Sequence, residues 1–273
     1  MSETNAYHVS DNAAEMYQAN MVRYMFMPWG ERMLSLAAVQ PGEHVLDVAC
    51  GTGVVTRLAA IAAGRSGAVT GADVNPAMLA VAGALEPVDG APITWIEADA
   101  GDMPVADESF DVALCQQGIQ FFGDPGAGLR EMRRALRPRG RVVVTVWRPL
   151  HFQPGHAAVA EMVEEFVGPK AGASRRAPYS FGGRETLRPL FESAGFGHVR
   201  IRIDTILLRF PSAEGMVQSM MAGTPLSAFM ANAGPDTVAS VIGGVEDRLR
   251  DFEDDDGLAV PMQCWAVTGQ AAR

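Results

Sequence analysis

Two glycines and two aspartates in the first third of the chain have the types and spacing of a loop that binds a small molecule. Asp47 lies near the end of the apolar run that starts at Val45, and Gly51 and Gly53 follow it. Because glycine has no Cβ, the backbone at these two positions can approach a ligand closely. Asp73 ends the next apolar run, where a carboxylate holds ribose hydroxyls in doubly wound nucleotide-binding sheets. The pattern predicts a site for a ligand that contains a nucleoside.

Charge and spacing separate two classes of such ligands. A dinucleotide brings a pyrophosphate to this loop, and Asp47 would repel it. The third glycine of the dinucleotide fingerprint would fall at Thr56, which is not glycine. S-adenosylmethionine carries no phosphate, and a carboxylate attracts both its sulfonium and its ammonium group. Asp47 therefore favours S-adenosylmethionine as the cofactor.

The flanking hydrophobic pattern predicts the elements that position these residues. Short β-rich runs alternate with helical stretches, and the predicted strands are 44–48, 68–73, 93–98, 110–115, 141–147, 198–209 and 258–268. The predicted helices between the first five strands are 54–63, 75–84 and 126–136. Strands joined in this way need right-handed crossovers and a sheet covered on both faces. We therefore expect a doubly wound α/β fold, with a seven-stranded, mostly parallel sheet whose last strand is antiparallel.

Five segments, in order along residues 41–148, resemble the motifs of class I S-adenosylmethionine-dependent methyltransferases. They are residues 45–53, 73–79, 98–104, 110–115 and 136–141. Ala49 stands where the family usually has its first glycine. The branch that these motifs resemble includes ubiquinone and menaquinone biosynthesis methyltransferases and many small-molecule methyltransferases. The resemblance implies a Rossmann-like enzyme that transfers a methyl group from S-adenosylmethionine.

The same resemblance implies a role for each motif residue. Asp47, Ala49, Gly51 and Gly53 would surround the methionine part of the cofactor. Asp73 would accept hydrogen bonds from the ribose hydroxyls, with Val74 and Met78 on the adenine. Further contacts are expected from Asp99 and the backbone of Ala100 to the adenine, from Gln116 and Gln117 beside the transferring methyl, and from Tyr17. Asp73 and Asp99 have an alternative interpretation as polar strand ends or helix caps, and Tyr17 as ordinary packing.

The remaining segments are expected to cover the site and form the acceptor pocket. Residues 1–40 form a predicted N-terminal helical cap, and residues 41–273 the methyltransferase domain, with insertions at 149–183 and 211–257. The methionines of the second insertion would either form an adaptable apolar lid or belong to the core. The expected acceptor is an apolar or aromatic small molecule, methylated at O, N or C.

Few side chains are candidates for a catalytic base. A base is needed only when the acceptor must lose a proton, because methyl transfer otherwise depends on alignment and desolvation. His151 and His156 follow the fifth predicted strand, on the side where the ligand is expected. Each is either a base or a loop histidine exposed to solvent.

Composition narrows the function classes further. The net charge of −10 disfavours a nucleic-acid partner. The sequence contains no apolar run of the ~18 residues that a membrane span needs and no secretory signal pattern. Three cysteines at spacings that fit neither a metal site nor a disulfide framework favour the cytoplasm. The assembly is left open between a monomer and a homodimer.

Three alternatives compete with the leading hypothesis. The first is methylation of a quinone precursor at carbon, although residues 116–122 do not match what that subgroup is expected to carry. The second is a non-catalytic module that binds S-adenosylmethionine, against which the intact Asp47, Asp73 and Asp99 count. The third is a dinucleotide oxidoreductase, which Asp47 and Thr56 disfavour.

Overall fold

A computed structural model describes residues 11–221, 224 and 226–272, and the strands of this part of the chain form one mixed sheet. The strands are β1 (His44–Val48), β2 (Ala68–Asp73), β3 (Ile93–Glu97), β4 (Phe110–Gln116), β5 (Leu136–Trp147), β6 (Phe196–Phe210), β7 (Glu253–Asp254) and β8 (Gly257–Ala271). Their order is β3-β2-β1-β4-β5-β8-β6, with β7 pairing beside β8.

The sheet confirms the predicted topology. Strands β1 to β5 pair in parallel, whereas β8 runs antiparallel to both β5 and β6. The two-residue β7, paired with the start of β8, is an additional strand that the sequence pattern did not predict. Strand β5 begins at Leu136 rather than at the predicted Arg141, because Leu136 pairs with Phe110 before the register shifts.

Helices connect the strands and extend beyond them at the N-terminus and between β6 and β7. They are α1 (Asp11–Met16), α2 (Met27–Ala37), α3 (Val54–Ala63), α4 (Pro76–Ala84), α5 (Pro125–Ala135), α6 (Pro154–Phe166), α7 (Pro169–Arg176), α8 (Arg184–Ser193), α9 (Ala213–Met221), α10 (Leu226–Ala233) and α11 (Pro235–Leu249). A π-helix, Tyr17–Phe26, joins α1 to α2. In the described part of the chain, no helix combines the length and the apolar character needed to cross a membrane.

The two faces of the sheet are buried against different helices. Successive side chains of a strand point to opposite faces, so Val112 and Leu114 of β4 pack with α2 and α3, whereas Ala113 and Cys115 pack with α5 and α8. All of these β4 side chains are buried. This two-sided cover produces the continuous apolar runs of the central strands.

A third apolar cluster lies at the carboxyl end of β5. It joins Trp147, the last residue of β5, to the π-helix, α6, α9, α10 and α11. The antiparallel β8 contributes its first half, because Trp147 pairs with Cys264. An ion pair between Arg32 of α2 and Asp204 of β6, at 2.7 Å, ties the N-terminal segment to the sheet. The π-helix therefore lies at the carboxyl ends of the parallel strands, whereas α2 packs on one face of the sheet and its end reaches Arg141 in the first half of β5.

Gly53 ends the loop after β1 at a point where no side chain fits. Its φ is +83°, and a Cβ placed there would lie 2.3 Å from a ring carbon of Trp95 on β3. Gly42 has a similar φ of +88°, but its nearest neighbour, Ser66 Oγ, would be at an ordinary 3.6 Å. The two positions share the conformational strain and differ in the steric clash.

We expect Gly53→Ala to destabilise the protein more than Gly42→Ala does. The left-handed conformation costs an L-residue about 1–2 kcal/mol at either position, whereas overpacking adds about 1–3 kcal/mol at Gly53 alone. Urea unfolding of both variants measures the difference. Equal free energies of unfolding would mean that the Trp95 ring moves aside without cost.

Candidate functional site

The loop between β1 and α3 turns sharply at three alternate residues. Ala49, Gly51 and Gly53 have positive φ angles of 56°, 55° and 83°. Glycine adopts this region without strain, whereas alanine pays about 1–2 kcal/mol for it. The conformation of Ala49 gives a physical reason why glycine is usual at this position in the family. The turns bring the backbone of the loop to the end of the sheet.

Asp73, the last residue of β2, holds this loop in place. Its Oδ2 accepts a hydrogen bond from the backbone N–H of Gly51 at 2.7 Å, and its Oδ1 accepts one from the N–H of Asn75 at 2.9 Å. Burial raises the pKa of the carboxyl group above its usual range. Each carboxylate oxygen can accept more than one hydrogen bond, so Asp73 can position the loop and still accept from ribose hydroxyls.

Asp47 is almost fully buried beneath the loop. Its Oδ2 accepts a hydrogen bond from the hydroxyl of Thr56 at 2.6 Å. Burial, with a further contribution from the charge of Asp73, raises the pKa of Asp47 from 3.8 to about 7. In the sequence, Thr56 stands out only as the position of a missing glycine, and nothing there indicates that its hydroxyl donates to Asp47. The two carboxyl groups repel each other when both are ionised, and a bound cation would relieve that repulsion.

A small cavity of about 30 Å³ opens beside this loop. Its walls combine the loop with the N-terminal segment: Tyr17, Phe26, Asp47, Ala49, Cys50, Gly51, Val54, Val55 and Gln116. Gln116 Nε2 donates to the carbonyl oxygen of Phe26 at 3.0 Å, which links the end of β4 to the π-helix. Five residues predicted for the cofactor site, including Tyr17, therefore line one cavity.

The residues expected at the adenine lie outside this cavity. Val74 is 54% exposed although it is apolar, and Met78 is half-buried on the first turns of α4. Asp99 is exposed, and its Oδ1 accepts from the N–H of Gly101 at 2.7 Å, with Ala100 between them. The adenine contacts of Val74, Met78, Asp99 and Ala100 stay predictions.

Several buried polar atoms at the carboxyl ends of the strands lack hydrogen-bond partners among the described residues. They include Oε1 of Gln116, both amide atoms of Gln120 and the hydroxyl of Thr52. Gln117, with a φ of +53°, lies beside the Cys264 thiol. Because buried polar groups are normally hydrogen-bonded, these atoms fit a polar ligand at this edge. A cation between Asp47 and Asp73, with a ribose on Asp73, fits S-adenosylmethionine.

The two predicted bases are in different environments. His151 is exposed on a short turn and stacks on Phe152, with ring centroids 4.0 Å apart. His156 is buried on α6, where its Nδ1 contacts the hydroxyl of Tyr179 and Nη2 of Arg175. Burial and the charge of Arg175 lower the pKa of His156 well below its usual range. The methionines Met216, Met220 and Met230 are buried in the apolar cluster around Trp147.

Comparisons with known proteins point to one family. Residues 46–144 match the family model for a methyltransferase domain. The chain is 32% identical to demethylmenaquinone methyltransferase of Staphylococcus aureus over 184 residues, which cover 64% of this chain and 76% of that protein.

Solved structures share the fold at lower identity. The YcgJ protein of Bacillus subtilis superposes with a TM-score of 0.56 at 14% identity, covering 89% of this chain and 98% of that one. Phosphoethanolamine N-methyltransferase 2 of Haemonchus contortus, solved with S-adenosylhomocysteine, superposes with a TM-score of 0.50 at 18% identity. The match covers 94% of this chain and 52% of that one.

The fold is that of a Rossmann-like protein, and the carboxyl groups of Asp47 and Asp73 at the ends of β1 and β2 suit a cationic nucleoside. The relative from Staphylococcus aureus makes the assignment definite: the chain belongs to the class I S-adenosylmethionine-dependent methyltransferases. It is a transferase, and its methyl donor is S-adenosylmethionine. No cluster of three or more His, Cys, Asp or Glu side chains that could hold a metal occurs among the described residues.

We expect Asp73→Ala to weaken S-adenosylmethionine binding by about 100-fold or more. Each hydrogen bond to a charged group contributes about 1.5–3 kcal/mol, and the ribose would lose two of them while the loop loses its tie at Gly51. Calorimetric titration measures the affinity. Asp89→Ala is the matched control, because Asp89 is exposed and pairs only with surface Arg65. Equal affinities in the two variants would contradict the role of Asp73, and tight binding of NADH would contradict the cofactor.

We expect affinity for S-adenosylmethionine to rise with pH through about 7, because the cation favours ionised Asp47. A pKa near 7 leaves about a tenth of the group ionised at pH 6 and about nine tenths at pH 8. The affinity of the wild-type protein, divided by that of Asp47→Asn measured in parallel, should therefore increase by up to about tenfold over this interval.

The same shift affects the stability of the ligand-free protein. Between pH 4 and 7 the folded state retains a proton on Asp47 that the unfolded chain has released, so the contribution of this group to the free energy of unfolding falls as pH rises. Asp47→Asn should remove this slope. An identical pH profile in wild type and variant would show that Asp47 does not titrate here.

Proposed function

We propose that the protein methylates an apolar or aromatic small molecule at O, N or C. One observation carries this proposal: a row of aromatic side chains leads from the cofactor cavity into the apolar cluster. Ring centroids lie 5.2 Å apart for Tyr17 and Phe26, 6.5 Å for Phe26 and Trp147, and 6.4 Å for Trp147 and Tyr179. Flat apolar molecules stack on such rings.

The residues of the chain would act by binding, orienting and excluding water. Bound S-adenosylmethionine supplies an electrophilic methyl group. Asp47 attracts the ammonium of the methionine part and Asp73 fixes the ribose. The π-helix covers the reacting end and keeps water away. These residues would hold the acceptor atom in line with the methyl carbon and the sulfur, which is the leaving group of the transfer. Alignment of this kind is a large source of rate.

A base is part of the proposal only for an acceptor that must lose a proton. His151 is exposed and could pass a proton to solvent. The Nδ1 atom of the buried His156 accepts a hydrogen bond from Arg175, and the hydroxyl of Tyr179 contacts the same nitrogen. His151 is therefore the candidate base that we keep, because the acceptor nitrogen of His156 is already occupied; an acceptor that is already an anion would need neither histidine.

A quinone precursor is the second candidate acceptor. The observation that favours it is the 32% identity to a protein named demethylmenaquinone methyltransferase, and a reduced quinone is itself a flat aromatic molecule. The loop after β4, residues 116–122, does not match what we expect of that subgroup. Complementation of a strain that lacks quinone methylation tests this candidate directly.

We expect the purified protein to transfer a radiolabelled methyl group from S-adenosylmethionine to at least one member of an aromatic panel of phenols, aromatic amines and reduced naphthoquinones. Trp147→Leu should raise the acceptor KM by about tenfold, because a lost aromatic contact costs about 1 kcal/mol or more, and should leave the cofactor Kd within about twofold. Asp73→Ala serves as the inactive control. Labelling of RNA or protein alone, with no aromatic acceptor, would overturn the proposal.

A further inference from the structure

Arg175 on α7 is a buried cation without an acidic partner in the described part of the chain. Only 6% of the residue is exposed, and none of the ion pairs formed by residues 11–221, 224 and 226–272 includes it. Its Nη2 contacts His156 Nδ1 at 2.9 Å and the sulfur of Met220 at 3.8 Å, and its Nε has no hydrogen-bond partner among the residues that the structure describes. The next residue, Arg176, instead pairs with Glu164 near the surface. Buried charges are normally paired, so Arg175 requires an explanation.

The neighbouring His156 presents a second unused group. Only 4% of it is exposed, and its Nε2 has no partner among the described residues. An arginine can only donate hydrogen bonds, so the Nδ1 that faces Arg175 must be the acceptor nitrogen. A neutral imidazole then carries its proton on Nε2. Arg175 and His156 therefore offer two buried N–H donors and one positive charge, with no acceptor for either donor.

This pair lies at the far end of the aromatic row that starts in the cofactor cavity. The Tyr179 ring lies 5.2 Å from that of His156 and 6.4 Å from that of Trp147. Trp147, Tyr179 and Met220 belong to one buried apolar cluster. An acceptor that stacks along the row would thus place one end near the cofactor and the other end near the donors.

We propose that Arg175, together with the Nε2–H of His156, binds an anionic oxygen on the methyl acceptor. The substrates would be apolar or aromatic molecules that carry a carboxylate or an ionised phenol or enol oxygen at the end remote from the reacting methyl. This inference rests on the proposed function and specifies its substrate class. A desolvated guanidinium beside an N–H donor matches an oxyanion in charge and in hydrogen bonding.

Binding of matched probes to the protein saturated with S-adenosylhomocysteine tests the inference. The probes are 1-naphthoate against 1-naphthamide for a carboxylate, and 4-nitrophenolate against 4-nitroanisole for an ionised phenol. Wild type should bind at least one anion about tenfold or more tighter than its neutral counterpart. Arg175→Gln should abolish that preference, Arg175→Lys should retain part of it, and the control Arg176→Gln should leave it unchanged.

The ligand-free stability of the same variants separates a binding role from a structural one. If Arg175 is kept for a ligand, Arg175→Met removes an uncompensated buried charge, and the melting temperature should rise. A structural arginine would instead give a lower melting temperature in Arg175→Met.

Either of two binding results would overturn the inference. The first is that wild type binds neither anion more tightly than its neutral counterpart. The second is that Arg175→Gln loses the same affinity for the anionic probes as for the neutral probes. Titration with S-adenosylmethionine distinguishes this failure from failure of the proposed function. A protein that binds the cofactor and methylates neutral aromatics with no preference for anions would retain the proposed function and lose only this substrate class.

Discussion

The hydrogen bond from the Gly51 N–H to the carboxylate of Asp73 connects the two strand ends on which the whole site depends. It can form because β1 and β2 pair in parallel, with Val48 opposite Ala72 and Cys50 N donating to the Ala72 carbonyl. The loop that follows β1 is then held against the residue that ends β2. A shift of this register by one residue would move Asp73 to the other face of the sheet and remove both the loop geometry and the ribose acceptor.

The proposed site, from the loop of Asp47 and Asp73 to Arg175, has opposite charges at its two ends, and both are unfavourable in the ligand-free protein. Asp47 and Asp73 are two carboxyl groups in a desolvated place, and both have a raised pKa. Arg175 is a buried positive charge with a neutral histidine beside it. Binding sites often carry such unfavourable groups, because ligands compensate them and the rest of the fold tolerates the cost. Here a cationic methyl donor fits the acidic end and an anionic acceptor fits the basic end.

Local patterns predicted the central half of the chain well. Helix α3 has the predicted bounds 54–63, and α4 begins at Pro76, after the Asn75 side chain that accepts from Ala77 N. Clear end signals mark both helices: Gly64 follows α3, and Asn75 and Pro76 begin α4. The start of β5 was predicted five residues late, because the pairing of Leu136 with Phe110 across the sheet has no local signal. Asp47, Ala49 and Gly51 were predicted from the first family motif, Gln116 from its place just after the fourth strand and Tyr17 from the N-terminal segment. All five line one cavity.

Contacts between distant elements could not be predicted from the sequence. Arg175 and Tyr179 meet His156 only through the packing of α6, α7 and the turn that follows α7, and residues 149–183 contain no motif that indicates it. The contact of Thr56 was equally unpredictable, because its hydroxyl reaches Asp47 only through the position of α3 over β1. Pairwise burial of this kind depends on tertiary structure and not on spacing along the chain.

The π-helix sets the geometry of the aromatic side chains in the N-terminal segment, which a helical prediction for residues 1–40 could not give. Tyr17 and Phe26 are nine residues apart. In an α-helix of 3.6 residues per turn, about two and a half turns would separate them, on opposite faces. The i→i+5 hydrogen bonds of a π-helix widen each turn, so that nine residues come close to about two turns. The rings are stacked with centroids 5.2 Å apart, and both line the cofactor cavity. The rarer helix is therefore the conformation that lets one segment place two aromatic rings on the wall of this cavity.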